Sequence, residues 1–224
     1  MEIGFDVISD LHLSPDENFN WENKATSLYC LIPGNISSDT RTTIQTLAHL
    51  SRYYQGIFIT LGTTDYENIS DYSARTKHLL QTYNSIGKVA VLHHHVVIID
   101  GVAIAGINGW ENSNDSLLAN RMDDLSYVSQ AVSKLQRHLD VKKIVILSNA
   151  VPKEELYFGE QPKYGEPEFY LDFSLRNDTE KKISHWVYGS YNKNVDTVIE
   201  GVNYVNNSYY KRRPYWPKRI NVTF

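Results

Sequence analysis

The chain has 224 residues, which suits one domain better than two, since domains typically run about 100–200 residues. Its formal charge of −4 excludes a global basic field for nucleic acid, and its single cysteine, Cys30, excludes an intrachain disulfide and a cysteine-based zinc site. No apolar run approaches the roughly 20 residues needed to span a bilayer, and the opening MEIGFDVISDLHL, interrupted by Glu2, Asp6 and Asp10, reads as a strand rather than a signal peptide. The expectation is a cytoplasmic protein, or a soluble component of a larger particle, with no membrane partner.

Ile3 to Ile8 form a short apolar strand that ends at Ser9-Asp10-Leu11-His12. Pro15 to Asn23 are polar and loop-like. Tyr29 to Ile32 are a second apolar run, stopped by Pro33-Gly34. From Thr40 to Tyr54, the residues Ile44, Leu47, Leu50 and Tyr54 recur at helical spacing. Gly56 to Leu61 form a third strand, stopped by Gly62, and Tyr72 to Tyr83 read as a second helix.

Val89 to Leu92 begin a strand that runs into His93-His94-His95. In a continuous strand only His93 and His95 share a face, and two ligands without a third make a weak metal site. Val96–Ile99 and Val102–Ala105 flank Asp100-Gly101, a hairpin signal. Leu125, Val128, Val132, Leu135 and Leu139 make a third helical stripe, and Lys142 to Leu147 the next strand. Residues 153–178 are polar and aromatic, broken by Pro162, Gly165 and Pro167, and read as an irregular insertion. Late strands cover Trp186–Gly189, Val195–Ile199 and Val202–Val205. Residues 209–224 read as a basic-aromatic extension of a single domain spanning 1–224. Within it, Lys211, Arg212, Arg213, Tyr215 and Trp216 form a candidate binding surface, because Arg and aromatic residues suit both protein interfaces and stacked bases.

Apolar strands that each end in a polar turn bring those turns to one sheet edge, where open α/β sheets bind ligands. The turns are VISDLHLS with Asp10 and His12, LIPGNIS with Asn35, FITLGTTDYEN with Thr63, Thr64 and Asp65, IVILSNAVP with Asn149, and HWVYGSYNKN with Ser190 and Asn192. In order and spacing they resemble the five motifs of the calcineurin-like metallophosphoesterases. That resemblance covers nearly the whole chain, to about Tyr210. It implies an α/β fold, a layered α/β/β/α sandwich of two mixed sheets, with the turns clustered at one edge.

The family's chemistry rests on two metal ions that activate a water and clamp a phosphate. Here the resemblance implies that most ligands are gone. Asp10 and His12 match; Asn35 replaces a bridging carboxylate; Thr63, Thr64, Asn149, Ser190 and Asn192 replace the other ligand or leaving-group positions. Neutral residues of this kind hydrogen-bond one another, so the expectation is a site rebuilt without metal and no cofactor. The implied role is that of an inactive structural or protein-binding module, as in the B-subunits of some replicative polymerases and a retromer subunit. A phage or virion component is one such setting, and the partner is another protein or a second copy. The first alternative is a residual phosphomonoesterase or phosphodiesterase, with Asp10, His12, Asn35 and Asp65 around one divalent ion (Mn, Mg, Zn or Fe). The second is a nucleic-acid binder acting through the basic-aromatic tail.

Overall fold

The structure, a computed structural model, describes residues 1–15, 17, 19–109, 115–157, 178–209 and 214–224. In chain order it contains β1 (Glu2–Val7), β2 (Tyr29–Pro33), α1 (Thr40–Leu50), β3 (Gly56–Thr60), α2 (Tyr72–Asn84), β4 (Val89–Val91), β5 (His95–Ile99), β6 (Val102–Ile107), α3 (Asp115–Arg137), β7 (Lys143–Ser148), β8 (Ile183–Tyr188), β9 (Val195–Ile199), β10 (Val202–Asn206) and β11 (Lys218–Thr223).

Two mixed sheets result. The first has the order β11-β1-β2-β3-β4, and the second β5-β6-β7-β8-β10-β9. The strands β1 to β4 run parallel, and β11 closes the β1 side antiparallel. In the second sheet β6, β7, β8 and β10 are parallel, with β5 and β9 antiparallel at the two edges. Central parallel strands are covered on both faces, and their sequences are accordingly near-continuous apolar runs such as Ile57–Ile59 and Ile144–Leu147.

Three apolar layers hold the sandwich together. Phe5, Leu31, Phe58, Ile104, Val145 and Val187 pack between the sheets. Leu47, Leu50, Leu79 and Tyr83 of α1 and α2 cover the outer face of the first sheet against Ile57 and Ile59. Val128, Val132 and Leu135 of α3 cover the second sheet against Ile144 and Ile146. The architecture is therefore the expected α/β/β/α sandwich.

Local chemistry sets the element ends. Asp39 caps α1 by accepting from Thr42 N at 2.9 Å, and Asp71 caps α2 by accepting from Ala74 N at 2.9 Å. The turns Asp100-Gly101 and Glu200-Gly201 have positive φ at both residues, the requirement of a tight primed hairpin turn.

Several expectations need correction. α1 stops at Leu50, so Tyr54 is buried beyond the helix end rather than along its stripe. α3 stops at Arg137, and Leu139 is 86% exposed. The run from His93 to His95 is not one strand: His94 has φ +51, and β5 begins only at His95. The segment 209–224 is not wholly an extension, because β11 completes the first sheet, where Ile220 and Val222 are buried between charged or polar neighbours. There Met1 N donates to Phe224 O at 2.7 Å, and Phe224 N donates back to Met1 O at 3.0 Å. Of the insertion 153–178, only residues 153–157 and 178 lie within the described residues. No helix among the described residues is long and apolar enough to cross a membrane.

Candidate functional site

The five polar turns meet at the carboxyl ends of β1, β2, β3, β7 and β8, with Asn35 at their centre. The Asn35 side-chain amide donates to Asp10 Oδ1 at 3.1 Å and to Ser190 Oγ at 3.2 Å. Its carbonyl accepts from Thr63 Oγ1 at 3.2 Å, Thr64 N at 3.3 Å and Thr64 Oγ1 at 3.4 Å. One amide thus ties the turns after β1, β3 and β8 to the turn after β2, across both sheets.

Asn149 makes the second tie. Its Nδ2 donates to Pro33 O at 2.9 Å, and its Oδ1 accepts from Ser190 Oγ at 3.0 Å and Thr63 N at 3.3 Å. Gly62 and Gly189 permit this proximity. A Cβ at Gly62 would collide with Asn35, and one at Gly189 with the Pro33 carbonyl. Asp10, His12, Asn35 and Ser190 all have positive φ without being glycine, a region in which Asp, His and Asn are enriched among L-residues and Ser is uncommon.

Asp10 is buried and fully engaged. Besides the Asn35 amide it accepts from Ser190 N at 2.8 Å and Asn206 Nδ2 at 3.4 Å. Burial raises the pKa of its carboxyl, against the opposing pull of these hydrogen bonds and of His12. The His12 ring is about half exposed, and its Nε2 lies 4.0 Å from Asp10 Oδ1. Asp65 points elsewhere: it accepts from Gly62 N at 2.9 Å and Tyr83 OH at 3.0 Å, and burial pushes its pKa up to about 6. Asn192 is exposed and stands outside the network.

The donor set does not fit a pair of divalent ions. Such ions need several convergent charged or imidazole ligands. Here one carboxylate and one imidazole face neutral amides and hydroxyls, and the NH₂ of Asn35 occupies the Asp10 oxygen. Among the described residues, no group of three or more His, Cys, Asp or Glu side chains converges. Nor is Ser190 an activated nucleophile. Its hydroxyl donates to an amide oxygen rather than to a base.

Asn206 was not anticipated. It closes the Asp10 shell from the end of β10 and also donates to Tyr188 O at 3.1 Å. Its signal was a strand ending in Asn206-Asn207-Ser208, the same apolar-run-to-polar-turn pattern as the other sites.

The other predicted residues separate. Tyr215 is corrected from a surface contact to a core residue. Its hydroxyl donates to Asn207 O at 2.6 Å and accepts from Ser9 N at 3.3 Å, and its ring packs against Trp21 and Tyr209. Trp216, by contrast, is 57% exposed. Lys211, Arg212 and Arg213 lie outside the described residues. The histidine run also differs from its strand reading. His94 Nε2 pairs with the buried Asp124 at 2.5 Å, and the His93 and His94 rings stack at 4.8 Å, instead of His93 and His95 sharing a face.

In sequence, the chain matches no family model and no curated protein. In structure it is similar to the phosphopantetheinyl hydrolase PptH of Mycobacterium tuberculosis, with TM-score 0.63, 14% identity, and coverage of 96% of this chain and 95% of that one. It is also similar to a putative 5′-nucleotidase of Staphylococcus aureus, with TM-score 0.58 and 12% identity over all of this chain and 51% of that one. A third is GAP50, the anchor in the inner membrane complex of Plasmodium, with TM-score 0.54, 11% identity, and coverage of 91% of this chain and 70% of that one. At such identities the likeness is one of fold, and the hydrolase and the nucleotidase have metallophosphoesterase-like folds. The fold of this chain therefore resembles that of phosphoesterase and hydrolase enzymes.

Proposed function

We propose that this protein is a catalytically inactive member of the metallophosphoesterase-like fold, working as a structural or protein-binding module without a metal cofactor. The observation that carries the reading is the bond from the Asn35 amide to Asp10. A side-chain NH₂ directed at that carboxylate replaces the positive charge that two ions would supply. The remaining turn residues complete a neutral hydrogen-bond network around it, which fits a structural site better than a reactive one. GAP50, described as the anchor in the inner membrane complex, is a precedent for an anchoring role on a similar fold. The partner is a protein or a second copy of the chain.

The test is elemental analysis of protein purified without chelators, run beside a phosphomonoester and phosphodiester screen with added manganese. The expected result is less than stoichiometric metal and no turnover above a metal-only control. Two ions per chain, or turnover that Asp10→Asn abolishes, would overturn the reading.

A further inference from the structure

The second sheet ends on β5, which pairs with β6 on one side and, among the described residues, with no strand on the other. The two-residue turn at Asp100-Gly101 makes Ile99 and Val102 a mutually hydrogen-bonded pair. Antiparallel ladders alternate, so His95, Val97 and Ile99 aim their backbone groups at β6, while Val96 and Ile98 aim theirs outward. Among the described residues, no hydrogen bond from outside the ladder reaches the backbone of Val96 or Ile98. Natural sheets shield such an edge with charge, proline, a bulge or shortness. β4 is only three residues long, β9 carries Asp196, and β11 carries Lys218 and Arg219, with Lys218 paired to Asp196 at 2.5 Å. β5 has no lysine, arginine, carboxylate or proline and no register shift against β6, and its Ile98 is 44% exposed.

The outward groups of β5 are symmetric about Val97. A second β5, laid antiparallel with its Val97 opposite this one, sets Val96 of each copy against Ile98 of the other, and both pairs exchange N–H and C=O. Every outward backbone group of β5 is then satisfied on both strands. A two-residue shift would leave Val96 or Ile98 facing a turn, and a one-residue slip would reverse the faces. The side chains agree with this register. Val97 and Ile99 pack toward the layer between the sheets and Val96 toward the layer under α3, so both apolar layers continue across the axis, and the exposed Ile98 meets Val96 of the other copy. Asp100 of each copy comes level with the His94 turn of the other, so the ends bring no like charges together. We propose that β5 joins two copies of this chain into one continuous sheet about a two-fold axis at Val97. A second β5 supplies outward groups at the matching positions together with uncharged β-branched side chains, which an arbitrary strand does not guarantee. The pairing locates the surface for the second-copy partner named above and does not depend on the site being inactive.

The experiment is sedimentation equilibrium of the full chain from about 1 to 100 µM, a span that covers weak and moderate self-association. The average mass should rise from one chain toward two and stop there, as a closed two-fold contact requires. Ile98→Lys adds the kind of charge that β11 carries and should weaken the dimer about tenfold or more. Val198→Lys, on the opposite edge of the same sheet, should leave it unchanged. Both positions are exposed, so both variants should melt with the parent at the dilute end. Val97→Cys puts two thiols at the axis, where opposed Cα atoms of a non-hydrogen-bonded pair lie about 4.5 Å apart, and should give a disulfide-linked dimer under mild oxidation, whereas Ile98→Cys should not. A mass that stays at one chain throughout, a dimer indifferent to Ile98→Lys, or cross-linking through Ile98→Cys in place of Val97→Cys would overturn the proposal. A dimer that turned over phosphoesters would instead remove the inactive reading and leave the pairing standing.

Discussion

The side-chain nitrogen of Asn35 lies 3.1 Å from Oδ1 of Asp10, and the same amide's oxygen receives the Thr63 and Thr64 hydroxyls. Asn35→Asp reverses the sense of the first contact. Two carboxylates would then face each other in a buried site, and the Ser190 hydroxyl would lose a donor. Leaving a buried charge uncompensated costs about 3–5 kcal/mol. The variant should therefore melt well below the parent at neutral pH. Manganese at millimolar concentration should raise the melting temperature of the variant and leave the parent unchanged, as read by differential scanning fluorimetry. An unshifted variant would show that the amide is not the hub of the site.

Tyr215 separates packing from surface contact. Tyr215→Ala removes a buried ring and should cost about 3–5 kcal/mol, the range for large aromatic truncations. Tyr215→Phe keeps the ring and removes one of the two donors to the Asn207 carbonyl, which still accepts from Ser9 N, at about 0.5–1.5 kcal/mol. Urea denaturation of the two variants should give that order. Equal and negligible effects would place Tyr215 at the surface after all.

Asp65 gives stability a pH dependence. Its folded pKa, about 6, lies above the ordinary 3.8 because the carboxylate is buried. The folded state thus holds the proton more tightly, so the contribution is present below about pH 4 and lost as pH rises through 6. The shift amounts to about 3 kcal/mol across that window. In Asp65→Asn this component should vanish. The stability difference between parent and variant, measured by denaturation at pH 4 and pH 7, should change by an amount of that order. A constant difference would count against it.

Gly62→Ala tests the close approach of the turns after β2 and β3. The added methyl meets the backbone nitrogen and side chain of Asn35, neither of which is a flexible end. A loss of about 1–3 kcal/mol is expected, together with new exchange broadening of the Asn35 side-chain amide in NMR spectra. Retention of both stability and amide signals would indicate that the turn yields freely.

Much of the sandwich was legible because central parallel strands announce themselves as unbroken apolar runs, as in Ile57–Ile59 and Ile144–Leu147. The turns were legible because each run stops at polar residues, which brought Asp10, Asn35, Thr63, Asn149 and Ser190 to one edge. β11 was hidden by composition. Its Ile220 and Val222 alternate with Arg219, Asn221 and Thr223, the period of a half-buried edge strand, but the cations and aromatics before it give the segment the composition of a binding tail. Tyr215 and Trp216 show why composition could not divide that tail. Adjacent residues of similar character fall on opposite sides of the surface, and only tertiary packing decides which is inside. The His94–Asp124 pair likewise depends on a positive φ and a distant helix, neither of which leaves a local mark.

The pairing of β1 with β11 turns the chain into its own distance gauge. Met1 and Phe224 exchange two backbone hydrogen bonds, while the six residues of β1 carry the chain about 20 Å toward the turn at Asp10, at ~3.3 Å per residue. Donor and acceptor dyes attached at the two ends would sit in near-contact in the folded protein and separate on unfolding. Both would remain remote from the Asn35 network, so loss of energy transfer would follow the undocking of β11, and comparison with a probe at Asn35 would reveal whether the sheet edge and the turn cluster come apart together.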